Sequence, residues 1–400
     1  MNVSAGDEQM GTSTEALLRS ARRVSTEIAG RAELHDREGS FAPENMAAIW
    51  SAGLGNLTVP AAMGGAGCDL VTTLRVIETI ARGDASSGLI LCMHLNHLGL
   101  MCAVDSPWPQ GLRDLVLAES LARPALVNSA VVEPDLGSPS RGGVPATTAR
   151  ATTGAGGDRC WSISGHKTYI TGSLGLRWMV VRAATSESDP EGQRTGSFLV
   201  RADTPGIEIR PTWDHLGMRA SASHDVIFDG VEIPVERAIG LQSAARPPDR
   251  LGRDRSVLMQ LSVYTGVAKA ARDWLVGYLN QRVPSNLGAP LASLPRFQTA
   301  VGQIQSLIYA NDQLLFGLAP RLGDSAGPLD AAKTKYLVTA NVIAIAETAI
   351  ALIGNPGLSY RHPLQRHFRD ALCSRIHSPQ DDVILLEAGR AGMEVPDQEA

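Results

Sequence analysis

The feature that most constrains this chain is a hydrophobic period that changes twice. From about Ser13 to Asp105, runs such as TEALLRSARRVSTEIAGRAEL place apolar residues three and four apart, which predicts helices with one buried face. SSGLILCMHLNHLGLMCAV is apolar nearly all round and predicts a helix buried inside a bundle. From about Pro124 to Gly240 the pattern alternates. CWSISGHKTYIT, WMVVRA, SFLVRA, GIEIR and DVIFDGVEI are short β-branched runs punctuated by Gly, Pro and Asp, predicting a mostly antiparallel β domain. After LQSAARPPDR the helical period returns, with helices predicted around 255–282, 294–322 and 328–353 and a last one from about Gln380. The expected class is α+β, with a β domain (124–240) between two helical ones (1–123 and 241–400).

Composition narrows the classes of function. With 44% hydrophobic and 19% charged residues, the 400-residue chain can bury a sizeable core. Its net charge is −5, with acidic and basic residues interspersed, so neither nucleic acid nor a membrane is an expected partner. Cys68, Cys92, Cys102, Cys160 and Cys373 form no C-x-x-C pair, which fits a reduced, cytoplasmic chain and no metal site. The first residues lack a basic start and a following apolar run, so no signal peptide is expected. YLVTANVIAIAETAIALIG, from Tyr336, contains Asn341 and Glu347 and reads as a core helix, not a membrane span.

Five segments, in order, resemble the acyl-CoA dehydrogenase superfamily: VPAAMGGAGCDL with ETIARGDASSG, VVEPDLGS, ISGHKTYITGS, LGMRASASHDVIFDGVEIP, and GNPGLSYRHPLQRHFRDA. The resemblance implies a C-terminal four-helix bundle, a bound flavin (FAD or FMN) and a homotetramer. It implies that the Thr171 hydroxyl meets flavin N5 and that Tyr169 replaces an aromatic covering the ring; strand alternation would put the two on one face. Ser173, Ser138, Arg282, Gly354, Gly357 and Gln380 are the other flavin-binding candidates. Val132 stands where the family often has a threonine. Arg282 is followed by a longer spacing than usual, with Leu287 where an aromatic is common.

The larger departure is chemical. Oxidising an acyl thioester needs a carboxylate to take the α-proton. The family puts a glutamate at one of two places, which here hold Ser378 and Ser256. A serine is no base unaided. Asp254, Asp381 and Asp382 are near in sequence, but the last two suit the first turn of a helix. A branch of the superfamily, the two-component flavin monooxygenases, lacks that glutamate and carries a histidine near this place. Its members take reduced flavin from a separate reductase and use O₂ to hydroxylate a small molecule. His377 in RIHSPQ matches, and its ordinary pKa of about 6.5 suits proton transfer; the alternative is a histidine that caps the last helix or bonds a backbone carbonyl. His94 and His97 share a helix face, and His94 is the candidate donor to the reacting oxygen, against a satisfied core histidine. The catalytic candidates are thus His377, His94 and Ser378. The expected function is carbon or amine-nitrogen hydroxylation. Acyl dehydrogenation with a base such as Asp254 is the runner-up, and a non-catalytic scaffold is a third possibility.

Overall fold

The computed structural model describes residues 5–136, 143–154, 156–186, 192–242 and 249–393. Six helices come first: α1 (Ala5–Ala29), α2 (Ala32–Glu38), α3 (Pro43–Ser51), α4 (Leu70–Gly83), α5 (Ala85–Met101) and α6 (Gln110–Ala122). Aspartates set where two of them start. The Asp69 carboxylate accepts the Thr72 N–H at 2.7 Å and the Asp84 carboxylate that of Ser87 at 2.9 Å, satisfying donors that a first turn leaves open. α5 is buried on most of its circumference, as its uniformly apolar sequence predicts.

The strands are β1 (Leu126–Ala130), β2 (Thr148–Thr153), β3 (Arg159–Ile170), β4 (Leu176–Thr185), β5 (Thr195–Arg201), β6 (Ile207–Arg210), β7 (His224–Pro234) and β8 (Ala238–Gln242). They form one sheet in the order β6-β7-β3-β2-β4-β5-β8, with β1 against β4. The sheet is mixed: β1 and β2 both run parallel to β4, and the remaining pairs are antiparallel. Alternation divides β4 between two cores. Met179, Val181 and Ala183 join the main core, whereas Trp178 and Val180 pack with Leu98 and Met101 of α5 and Leu112 and Val116 of α6.

Helices resume with α7 (Arg250–Gln281), α8 (Pro295–Leu318), α9 (Asp330–Ile353), α10 (Asn355–Leu358), α11 (Leu364–Leu372) and α12 (Asp381–Met393). α7 crosses α4 at Gly266, where a Cβ would fall 2.4 Å from the Glu78 carbonyl oxygen, so a side chain would push the helices apart. α9 is long and apolar enough to cross a membrane, yet one face of it packs on α7 and α8. The highly amphipathic α11, not anticipated from sequence, fills the segment where the bundle meets the sheet. Its Arg369 guanidinium grips both carboxylate oxygens of Asp36 on α2 and donates to the Leu216 carbonyl at 2.7 Å. Next to it, Asp370 accepts the Met218 N–H at 2.7 Å. These contacts fasten the loop between β6 and β7 to both helical regions.

Candidate functional site

The end of β3 departs from a regular strand. Its pairing with β7 shifts register between Lys167 and Ile170, and Tyr169 has φ 61. Alternation therefore does not put Tyr169 and Thr171 on one face, as the sequence suggested; a bulge does the positioning, and Thr171 lies beyond the strand end. Met218 (φ 52) and Ala222 (φ 45) are the other non-glycine residues in the left-handed region among the described residues. All three flank Thr171. Strain of this kind costs on the order of 1–3 kcal/mol per residue and persists only where surrounding bonds enforce it. Here they do: Gly172 N–H donates to the Ser221 carbonyl at 2.8 Å and Ser173 N–H to the Ala222 carbonyl at 3.1 Å.

Thr171 sits in a polar chain. The Ser223 hydroxyl, itself 2.8 Å from that of Ser221, donates to Thr171 Oγ1 at 3.1 Å. Thr171 thus has its own proton to give to another acceptor. Asn128 of β1 donates to the Thr171 carbonyl at 2.9 Å and also bonds the His97 side chain. Burial lowers His97 to a pKa of about 4, opposed by the Asn128 bond, so it is neutral at pH 7. Beside Thr171, Tyr169 is 56% exposed and stands edge-on to Trp213 and His215, which stack at 3.7 Å between ring centroids. His215 Nδ1 is buried with no hydrogen-bond partner among the described residues. A free hydroxyl proton, an open aromatic face and an unpartnered ring nitrogen suit a flat heterocycle edged with polar atoms. The residues present fit a flavin.

Two of the sequence segments singled out above are stitched together by charge. Glu133 and Lys167 form a 2.7 Å ion pair, both nearly inaccessible. Glu133 also accepts the N–H groups of Ala146 (2.8 Å) and Thr147 (3.0 Å) and the Thr147 hydroxyl (2.6 Å). Burial opposes the charge on Glu133, but Lys167 and these donors hold its pKa down to about 2. Val132, lacking a side-chain donor, contributes its carbonyl to the Thr168 N–H at 3.0 Å.

On the helical side His377 meets Tyr264 of α7, with Nε2 2.5 Å from the phenol oxygen. Burial raises Tyr264 well above its ordinary value, so the phenol keeps its proton. The described residues give that phenol no other acceptor, which favours donation to Nε2 with the histidine proton on Nδ1. Burial, aided by nearby Lys335, lowers His377 to about 4. His377 is therefore neutral at pH 7, not the near-neutral-pKa base that its residue type suggests. Nothing in the sequence marked Tyr264, which lies mid-helix 113 positions away. Asp370, close by, is raised to about 7 by burial, against the Met218 bond and with repulsion from Asp36 adding to the rise.

Other candidates fall elsewhere. His94 is 1% exposed, and its Nδ1 accepts the Val127 N–H at 3.1 Å while Nε2 bonds the Gly55 carbonyl at 3.1 Å. Both nitrogens being engaged by backbone, His94 is a core histidine and no donor to a reactant. The Ser173 hydroxyl donates to the Ala222 carbonyl at 2.7 Å, so it braces the loop instead of meeting a cofactor. Ser378 and Gln380 are half-buried in the turn before α12, where the Gln380 carbonyl accepts the Ile384 N–H at 3.0 Å. Asp381 and Asp382 open α12, and Asp381 pairs with Lys335 at 3.3 Å. Asp254 is buried between Arg250 and Arg253, and Ser256 bonds Asn96 at 2.8 Å. Arg282 is exposed just beyond α7, about 27 Å along the helix axis from Tyr264. Gly354 (φ 68) and Gly357 form the α9–α10 corner. Among the described residues no hydrogen bond or ion pair brings Arg282, Gly354 or Gly357 to Thr171. Ser138 lies outside the described residues.

Comparison with known proteins decides the family. Domain models for the acyl-CoA dehydrogenase N-terminal, middle and C-terminal domains match residues 12–104, 129–231 and 258–381. Short-chain specific acyl-CoA dehydrogenase of Bos taurus mitochondria is 30% identical over 356 residues, covering 88% of this chain and 82% of that one. The chain belongs to the acyl-CoA dehydrogenase family. It is accordingly a flavoprotein oxidoreductase by family. The homologue YdbM of Bacillus subtilis (strain 168) is 30% identical over 370 residues, covering 91% of this chain and 93% of that one. Among solved structures, KijD3 in complex with FMN and dTDP-3-amino-2,3,6-trideoxy-4-keto-3-methyl-D-glucose is 28% identical (TM-score 0.80, 99% of this chain, 96% of that one). Butyryl-CoA dehydrogenase from Megasphaera elsdenii shares the fold at 21% identity (TM-score 0.81, 98% of this chain, 100% of that one).

Proposed function

We propose that this family member is a flavin-dependent monooxygenase, using reduced flavin from a separate reductase and O₂ to hydroxylate a small molecule, an amine nitrogen or a phenol-type carbon. The observation that carries this reading is the neutral His377–Tyr264 pair, next in sequence to Ser378, which stands where a thioester-oxidising relative has its glutamate. The neighbouring acids are engaged: Asp254 by two arginines, Asp381 by Lys335, Asp370 by a backbone N–H. Dehydrogenation with Asp254 as base is thereby disfavoured. KijD3, with FMN and an amino sugar nucleotide named in its complex, supports the amine and favours FMN over FAD.

When bound, the reduced flavin supplies two electrons, so that one oxygen atom of O₂ enters the substrate and the other leaves as water. The protein's part is positional. Thr171 gives its proton to an acceptor on the ring edge, held in place by Ser223. His377 offers Nδ1–H to the reacting oxygen, and Tyr264 fixes its tautomer and orientation. Arg282, Gly354 and Gly357 fit this reading as residues that another copy would bring, in a homotetramer.

Rapid mixing of the full-length protein with anaerobically reduced FMN or FAD, followed by oxygenated buffer and an amine or phenol panel, tests the reading. Product should form in proportion to flavin oxidised, and His377→Ala should divert most of the oxygen to hydrogen peroxide. Oxidation of acyl-CoA thioesters with an artificial electron acceptor, and only peroxide from O₂, would overturn it.

A further inference from the structure

A second set of polar groups awaits a ligand about a cavity of ≈ 470 Å³ between α5, the residues that follow it and strands β4, β5 and β8. That volume suits a small organic molecule. The sheet face explains why the cavity is there. Trp178, Val180 and Arg182 share one face of β4, and the register sets Arg182 opposite Ser197 of β5, with Thr195 opposite Gln242 of β8. Toward Trp178 this face is apolar and covered by α5 and α6. Toward Arg182 it turns polar and opens into the cavity, which is also lined by Arg182, Thr195, Ser197 and Gln242.

None of those four side chains makes a hydrogen bond or ion pair with any described residue. Arg182 repels the buried Lys167, a like charge already matched by Glu133. Two carboxylates also line the space. Asp249 is committed to capping α7, accepting the Gly252 N–H at 2.9 Å, and Asp105 is exposed at the rim. What remains is a half-buried guanidinium beside two hydroxyls and an amide, the donor set that recognises a multi-oxygen anion. At the other side stand His97, bonded through Asn128 to the Thr171 carbonyl, and Trp108.

We propose that this cavity is the substrate site and that the substrate carries an anionic group, phosphate or carboxylate, held by Arg182 with Thr195, Ser197 and Gln242. The substrate's reacting part then extends past His97 toward Thr171. This direction rests on the flavin reading above; the anion site itself does not.

The test uses the full chain without flavin or oxygen chemistry. Pyrophosphate and glutarate are titrated by calorimetry and by Trp108 fluorescence, with Trp108→Phe as the optical blank. Binding of either anion, weakened about tenfold or more in Arg182→Gln and less in Arg182→Lys, is the expected result. Tighter pyrophosphate assigns a phosphate handle and tighter glutarate a carboxylate handle. Should Arg182→Gln fail to fold, Thr195→Val with Ser197→Ala must weaken binding instead. The proposal is overturned if neither anion binds, if the variants bind as the parent does, or if oxidised FMN competes, which would give Arg182 to the cofactor's phosphate. Failure of oxygen transfer in the rapid-mixing assay would leave these titrations unaffected, so the two readings fail separately.

Discussion

Around Thr171 the chain is held by backbone: three left-handed residues, a register shift in β3 and two main-chain hydrogen bonds to the loop at 218–222. Around His377 a single side-chain bond to Tyr264 sets the geometry, on a turn between helices. In the proposed site, one wall would be over-determined and the other would rest on two residue identities. The difference suggests which part can change chemistry. A wall made of backbone keeps its shape whatever reaction is run against it, whereas a histidine–tyrosine pair joined by one bond is lost when either residue changes.

The first way to break this contrast is to attack what anchors the rigid wall. Glu133→Gln would leave Lys167 charged and buried without its counter-ion, a loss of about 3–5 kcal/mol. Urea unfolding should show it. A loss under about 1 kcal/mol would mean that the backbone alone sustains the wall.

pH should separate the walls next. Burial holds His94 and His367 at about 3 and His97 and His377 at about 4. Folded values below the ordinary 6.5 mean that stability is intact above pH 6.5 and is lost as pH falls from there toward 4. Asp370 acts in the opposite sense. Raised by burial to about 7, it contributes most at low pH and loses that contribution as pH climbs from about 4 through 7. The urea midpoint should peak near neutrality and fall steeply on the acid side. In Asp370→Asn the peak should move to higher pH, and an unchanged profile would rule out Asp370 as the opposing group.

Tyr264→Phe sharpens the comparison on the weaker wall. Leaving the buried His377 Nε2 without its donor should cost about 1–3 kcal/mol. Flavin affinity should hold within about twofold while product per flavin oxidised falls. Ser223→Ala does the converse and is the smallest effect. Thr171 loses the donor that orients its hydroxyl, so flavin binding should weaken by about tenfold, or about 1.4 kcal/mol, with the unfolding midpoint nearly unchanged. Equilibrium titration with FMN reads both.

Much of this was legible in residue order. The switch from helical to alternating period and back marks α-rich, β-rich and α-rich segments, and the ISGHKTYITGS stretch led to Thr171. What stayed hidden was set by three-dimensional closure. Alternation cannot foresee a bulge, so it predicts Tyr169 and Thr171 on one face. His94 and His97 look equivalent in sequence, yet packing gives the first two backbone partners and the second a place on a cavity. Tyr264 and Asp370 hydrogen-bond residues more than a hundred positions away, and no local pattern signals such pairings. A histidine's ordinary pKa is likewise a property of water, and burial removed it from His377.

The Glu133 carboxylate has one more consequence, for how such proteins diversify. It holds Ala146 and Thr147 at the far end of the connection to β2 while bonded to Lys167 on β3, so the connection between Glu133 and Ala146 has both its ends at one fixed post. Lengthening a chain whose ends are already pinned adds little entropy cost, about 0.6 kcal/mol per doubling. That stretch is a natural cassette: evolution, or an engineer, can rewrite it without disturbing the wall behind it.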